Sequence, residues 1–158
     1  MGWFHAGTIT RTADTNAYAA GDVIGAATGS TAAQTLEKVS PGTPRHLFIA
    51  SARLLIRDSS VISGEGNYRL HLYSALPGSA LGDNAAWDLP SGDRASYLGY
   101  FDFGTVADVG ASAYVEANGI NKQVRLPGGL MYAYLVTSGA YTPSSARVYD
   151  FELLGWPV

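Results

Sequence analysis

Apolar and polar residues alternate along this chain in short runs, and the alternation has the period of a β-strand rather than that of a helix. Trp3 to Thr12 reads as a first strand. From Ala13 to Ala33 the chain is small, polar and glycine-spotted except at Tyr18, Val23 and Ile24, which predicts an extended arm or long loop with at most one short strand. Thr35 to Val39 alternates weakly, and Pro41-Gly42-Thr43-Pro44 then makes a rigid turn, because proline fixes φ and glycine accepts positive φ. His46 to Arg57 is the longest strand expected. Strict alternation puts Phe48, Ala50, Ala52, Leu54 and Ile56 on one face and Leu47, Ile49, Ser51, Arg53, Leu55 and Arg57 on the other, both partly apolar, as in a strand covered on both sides.

After a loop over Asp58 to Gly66, Tyr68, Leu70 and Leu72 alternate with Arg69, His71 and Tyr73, so one face is core and the other meets water or a partner. Ser74 to Ser96 is a long connection with a possible helical turn at Arg94 and Ala95, of a length that is either functional or packed as a compact surface loop. Tyr97, Gly99, Phe101 and Phe103 share one side of the next strand, opposite Leu98, Tyr100 and Asp102. Tyr114 to Glu116 and Lys122 to Leu126 flank Asn118-Gly119, a tight-hairpin signal. Leu130 to Thr137 and Arg147 to Leu154 complete the set, with Tyr149, Phe151 and Leu153 on one face of the last. Roughly eight to ten short strands without a sustained helical pattern predict an all-β fold. The expected form is a two-sheet antiparallel β-sandwich, most simply a jelly roll with an extended N-terminal arm, and an immunoglobulin-type sandwich is the alternative. Residues 1–33 are expected to form the first strand and the arm, and 34–158 the sandwich domain.

Composition narrows the function. The 158 residues suit one domain; 47% are hydrophobic and 15% charged, against about 25% charged in an average soluble domain. A net charge of −3 is the wrong balance for neutralising phosphates, so nucleic acid is not an expected partner. Cysteine is absent, which removes disulfides, thiolate zinc sites and a cysteine nucleophile. The first residues carry neither the basic region nor the apolar run of a secretory signal, so a mature N-terminus is expected. The longest apolar stretch, Leu130 to Val136, falls far short of the ~20 residues of a membrane-spanning helix, and no membrane partner is expected.

Candidate chemistry is sparse. His5, His46 and His71 are scattered with no two at ligand spacing. Asp83, Asn84, Asp88 and Asp93 crowd one loop, where hard oxygen ligands could hold calcium, but the spacing is not that of an EF-hand and these residues also favour turns. Gly78-Ser79-Ala80-Leu81-Gly82 is not a hydrolase elbow, and Gly64-Glu65-Gly66 lacks the third glycine of a phosphate cradle. No residue pair stands out as a glycosidase acid couple. No catalytic residue, cofactor or metal is assigned, and the chain is expected not to be an enzyme. Ten tyrosines, three tryptophans and an arginine-to-lysine ratio of eight to two favour contacts with other macromolecules. Trp3, Tyr73, Trp87, Tyr100 and Trp156 are the candidate outward aromatics, and Arg11 and Tyr18, in the expected arm, join them as interface residues.

Three blocks carry a family likeness: Thr8-Ile9-Thr10-Arg11-Thr12-Ala13-Asp14-Thr15 with Tyr18-Ala19-Ala20-Gly21-Asp22-Val23-Ile24-Gly25; Leu70-His71-Leu72-Tyr73 with Gly82-Asp83-Asn84-Ala85-Ala86-Trp87; and Tyr132 to Leu154 with Tyr141-Thr142-Pro143. Together they resemble a group of small virion structural proteins of tailed bacteriophages. The resemblance implies a β-sandwich on the particle, a capsid decoration (cement) protein on the outer surface of the major capsid protein lattice, assembled in the host cytoplasm as a symmetric oligomer such as a trimer. It implies no catalytic residue. In that role Gly7 to Ala33 would be a mobile arm that orders on binding. The alternative is a carbohydrate- or receptor-binding module of a tail fibre, with Trp87, Tyr73 or Tyr100 as stacking platforms.

Overall fold

The structure, a computed structural model, describes residues 2–37 and 45–158, and the turn expected at Pro41 to Pro44 lies outside them, as do Lys38 and Val39. The described residues form ten strands and no helix: β1 (Trp3–Thr10), β2 (Val23–Ile24), β3 (Gln34–Glu37), β4 (Arg45–Arg57), β5 (Asn67–Tyr73), β6 (Tyr97–Thr105), β7 (Ala107–Asp108), β8 (Ala113–Leu126), β9 (Leu130–Thr137) and β10 (Val148–Pro157). Arg94 and Ala95 lie in a turn. The strands make two antiparallel sheets of five, one ordered β1-β10-β4-β8-β7, the other β2-β9-β5-β6 with β3 also on β9. β2 and β3 pair with successive stretches of the same β9 edge, Val23 opposite Val136 and Gln34 opposite Ala133, so they act as one strand interrupted by Gly25 to Ala33. The main pairings are nested: β1 with β10, β3 with β9, β4 with β8, β5 with β6.

The core lies between the sheets. Ile9, Leu54, Ile56, Tyr149, Phe151 and Leu153 from the first face Leu36, Leu70, Leu72, Phe101, Phe103 and Leu135 from the second; each fully buried side chain of this size stabilises the fold by about 1.5–3 kcal/mol. Period-2 patterning explains the inward side of β10 directly, but β6 carries bulges at Leu98 and Phe103, so Tyr97, expected on the side of Phe101 and Phe103, packs on the outer face while Leu98 packs against the core. In β4 it does not hold throughout. Leu47 and Ile49 are buried, then Ala52, Leu54 and Ile56, because Ala50 is an extra residue between Ile49, paired with Gly155, and Ser51, paired with Leu154. That bulge moves the inward set from odd to even positions. Gly155 sits where a Cβ would run into the Phe48 carbonyl oxygen, so the bulge closes only against glycine.

The fold departs from two further expectations. Asn118-Gly119 does not turn a hairpin: β8 runs through it, pairing with β4 on both sides, and Gly119, Ile120 and Asn121 bulge out opposite Ala50, with φ of 69° at Gly119 and 51° at Asn121. The stretch Gly7 to Ala33, expected as a mobile arm, is packed into the sandwich. β1 pairs along its whole length with β10, and Ile9, Arg11, Tyr18, Val23, Ile24 and Ala32 are buried. From Ala13 to Ala33 the short β2 is the only strand, as expected, but buried side chains and backbone bonds such as Gly21 N–H to Thr137 O (2.8 Å) hold the segment in place.

The long connection Ser74 to Ser96 folds over the outer face of the second sheet. Tyr73, Tyr134 and Val136 form a second small core there with Val23 and Ala32, covered by Leu81, Trp87, Leu89 and Tyr97. On the face of β5 expected to meet water or a partner, His71 and Tyr73 are therefore buried by the chain itself, while Arg69 stays partly exposed.

Candidate binding surfaces

Six of the seven aromatic and arginine candidates fall into three places. Arg11 and Tyr18 are buried at one end of the sandwich, Tyr73, Trp87 and Tyr100 belong to the outer side of the second sheet, and Trp156 lies on the outer side of the first. Trp3 is opposite Gly155 on β1, and its side chain lies outside what the structure describes.

Arg11 and Tyr18 are thus not free for a partner. Arg11 donates to the Tyr18 hydroxyl (3.0 Å), the Asp14 carbonyl (2.7 Å) and carboxylate (3.0 Å), and Asp83 (3.2 Å). The Tyr18 hydroxyl and Gly25 N–H donate to the other Asp83 oxygen. Tyr18 and Tyr141 exchange backbone hydrogen bonds of 2.9 and 3.2 Å with their rings 5.4 Å apart, which joins this cluster to a second that the sequence reading missed. There the fully buried Arg147 clamps Glu65 with two bonds of 2.8 and 3.0 Å and lies 3.0 Å from Asp58. Glu65 also accepts from Ile62 N–H (2.8 Å) and the Tyr68 hydroxyl. Having given its proton to Glu65, the Tyr68 oxygen accepts from Tyr141 at 2.9 Å, and Tyr141 lies 2.8 Å from the Tyr149 hydroxyl. Burial pushes the phenols of Tyr18, Tyr68 and Tyr141 well above their ordinary value, so they stay protonated donors. The clusters tie 11–18, 58–68 and 141–149 together and serve the fold.

The loop acids do not converge. Asp83 turns inward to Arg11 and Tyr18, while Asp93 accepts from the Gly78 and Ser79 N–H groups at 2.8 and 3.2 Å. Burial raises the Asp93 carboxyl, but those N–H bonds outweigh it and hold it below its ordinary value. Asp88 is exposed. Among the described residues no group of three or more histidines, cysteines, aspartates and glutamates is placed to hold a metal ion.

On the second sheet, the Trp87 indole stacks on His71 with centroids 3.7 Å apart and donates to the Tyr73 hydroxyl at 3.0 Å. Tyr73 is wholly buried, and burial pushes its phenol up to about 12 despite that bond. Tyr100 is 47% exposed, its ring face covered by the Arg69 guanidinium at 3.9 Å. Arg69 also forks onto Asp102 at 2.8 and 3.2 Å, which holds that carboxyl below its ordinary value. Beside them lies an open hollow of about 340 Å³ lined by Gly21, Arg69, His71, Trp87, Thr137 and Ser138 among others. His71 is bonded to the Tyr97 hydroxyl at 2.9 Å, and burial, reinforced by Arg69 and opposed by Asp102, lowers its pKa from 6.5 to about 4. Between those values the unfolded chain takes up a proton that the fold refuses. This contribution is therefore full above pH 6.5 and lost as the pH falls toward 4. Over that window parent protein is expected to lose up to about 3 kcal/mol that His71→Gln does not. Urea melts across the window check this, and parallel slopes would overturn it.

The outer face of the first sheet is polar along most of its width. Glu116, Arg53 and Glu152 lie side by side on β8, β4 and β10. Arg53 pairs with Glu152, and Arg57 forks onto Asp150 at 2.7 and 3.2 Å. Two adjoining hollows of about 370 and 310 Å³ run over Arg53, Glu116, Asp150 and Glu152. At the end of β10 the character changes. Leu154, Trp156 and Val158, alternate residues on one side, are 42%, 46% and 59% exposed, and Trp156 stacks on Phe48 at 4.8 Å. A row of exposed apolar side chains at one sheet end is a feature that folding alone does not require.

No protein-family model matches the chain, and no curated protein matches it.

Proposed function

We propose that this chain is a non-catalytic structural protein of a tailed-bacteriophage virion, a capsid decoration protein that docks on the outer surface of the major capsid protein lattice as a homo-oligomer, the trimer being favoured. We read its nested strand pairing as that of a jelly roll. The observation that carries the docking role is the Leu154–Trp156–Val158 row with Phe48 stacked beneath Trp156. Tryptophan anchors of this kind dominate interface energies, and the Arg–carboxylate pairs that adjoin the row make a polar rim. Closed symmetry turns one modest patch into several simultaneous contacts. The test is co-sedimentation of the purified protein with empty heads, together with its mass in solution. Trp156→Ala is expected to weaken head binding by about 2 kcal/mol, some thirtyfold, without changing the melting temperature much. Undiminished binding by both Trp156→Ala and Leu154→Asp would remove the row from the contact.

The hollow over Arg69, His71 and Trp87 favours a second reading, a carbohydrate- or receptor-binding module of a tail fibre. Of the three expected platforms Tyr73 is enclosed, while Trp87 and Tyr100 each have one ring face already covered by His71 and Arg69. Glycan-array binding abolished by Tyr100→Ala would favour this reading over the first.

A further inference from the structure

The Asn118-Gly119 pair, whose hairpin signal the fold does not use, occupies an unusual position. Both residues are exposed. They open a bulge in which three residues face the single Ala50, so the peptide linking them is outside the regular ladder. Gly119 has φ of 69°, and nothing lies within 4 Å of where a Cβ would stand. Of the five asparagines, at 16, 67, 84, 118 and 121, Asn118 alone precedes a glycine.

We propose that Asn118 is a self-modification site at which the Gly119 backbone nitrogen closes on the Asn118 side chain and leaves a new carboxylate in the hollow beside Glu116. The deprotonated Gly119 amide nitrogen attacks Asn118 Cγ. The Cγ–Nδ2 bond breaks, ammonia departs, and a succinimide ring forms. Solvent water then opens the ring at either carbonyl, giving aspartate or isoaspartate, so the sum is one water consumed and one ammonia released, with no redox change. Absence of a side chain on Gly119 lets its nitrogen reach the carboxamide, and the open bulge leaves room for the backbone to turn as the ring closes. The product matters locally. Asn118 Nδ2 now donates to Glu116 Oε1 at 3.1 Å, and Tyr114 donates to the other oxygen at 3.0 Å. After conversion an acceptor faces an acceptor and two like charges meet across that distance. Asn118 and Glu116 share the 310 Å³ hollow with Arg53, Tyr114 and Glu152, so its charge becomes more negative with the age of the molecule. This inference does not depend on the proposed docking role.

The experiment incubates the folded full chain at mildly alkaline pH, well below its unfolding temperature, and maps peptides by mass spectrometry with isoaspartyl-specific labelling. Asn118 is expected to convert at least about tenfold faster than exposed Asn16, which precedes Ala17. Asn118→Gln, which keeps the amide and its reach to Glu116 but must close a larger ring, is expected to abolish the fast acidic charge variant. Gly119→Ala should slow it too, but an added side chain strains the bulge at that φ, so Asn118→Gln is the deciding variant. Equal rates at Asn118 and Asn16 would overturn the proposal. So would conversion of Asn118 in denaturant that is tenfold faster than in the fold, because the bulge would then protect it.

Discussion

Arg147→Met is expected to cost about 3–5 kcal/mol of unfolding free energy, because it leaves the Glu65 carboxylate buried without its cation. Arg147 and Glu65 side chains are both fully enclosed, and their two-bond clamp is the only cationic contact that Glu65 makes among the described residues. The loss should spread, since Glu65 also orders the Tyr68–Tyr141–Tyr149 chain of hydroxyls. The double variant Arg147→Met/Glu65→Leu should recover part of the loss, as a buried pair replaced by apolar groups often does, but not all, because the Tyr68 hydroxyl and Ile62 N–H would then lack their acceptor. Urea denaturation of the single and double variants measures this coupling directly. The exposed Arg53–Glu152 pair is the control, and Arg53→Met should cost less than about 1 kcal/mol. If the two arginine variants lose the same small amount, the buried clusters do not fasten this end of the sandwich.

The contrast between these pairs shows what was legible in the sequence. The inward face of β10 could be read because alternation is local and the strand has one buried side, whereas in β6 only Phe101 and Phe103 could, since the bulge at Leu98 that turns Tyr97 outward forms only when β5 pairs on either side of it. The phase change in β4 could not, since Ala50 becomes a bulge only when β10 pairs on either side of it. The Asn-Gly signal states that a residue takes positive φ, and a hairpin and a bulge both satisfy it; which one forms depends on β4 running alongside. The outer face of β5 looked open because the sequence does not say where a long loop will lie, and the 74–96 connection covers it. Arg11 and Tyr18 looked like interface residues for a similar reason. Their partner Asp83 is 72 and 65 residues away, and an arginine that will be neutralised at that distance reads like any surface arginine. Tyr100 and Trp156, on the outward phase of their strands, are exposed.

Deleting residues 1–33 is expected to leave a chain that does not fold on its own, a larger effect than any single substitution here. The deletion strips β10 of its outer neighbour along eight paired positions and frees part of the β9 edge that β2 covers. It removes Ile9, Tyr18, Val23, Ile24 and Ala32 from the two cores. Burial of the four larger side chains, at about 1.5–3 kcal/mol each, is already comparable with the whole stability of a domain, about 5–15 kcal/mol. It also takes Arg11 away from Asp83, leaving a carboxylate that is 4% exposed with no cation beside it. Near-ultraviolet circular dichroism and proton NMR dispersion should both show loss of fixed packing, and the truncated chain should aggregate through its newly bared strand edges. Survival of a cooperative melt near the parent temperature would mean the segment is detachable, and docking by an arm that orders on the partner would again be open to this protein. If instead the truncated chain is unstructured, failure to bind heads says nothing about an arm, and the Leu154–Trp156–Val158 row has to be tested in the intact chain.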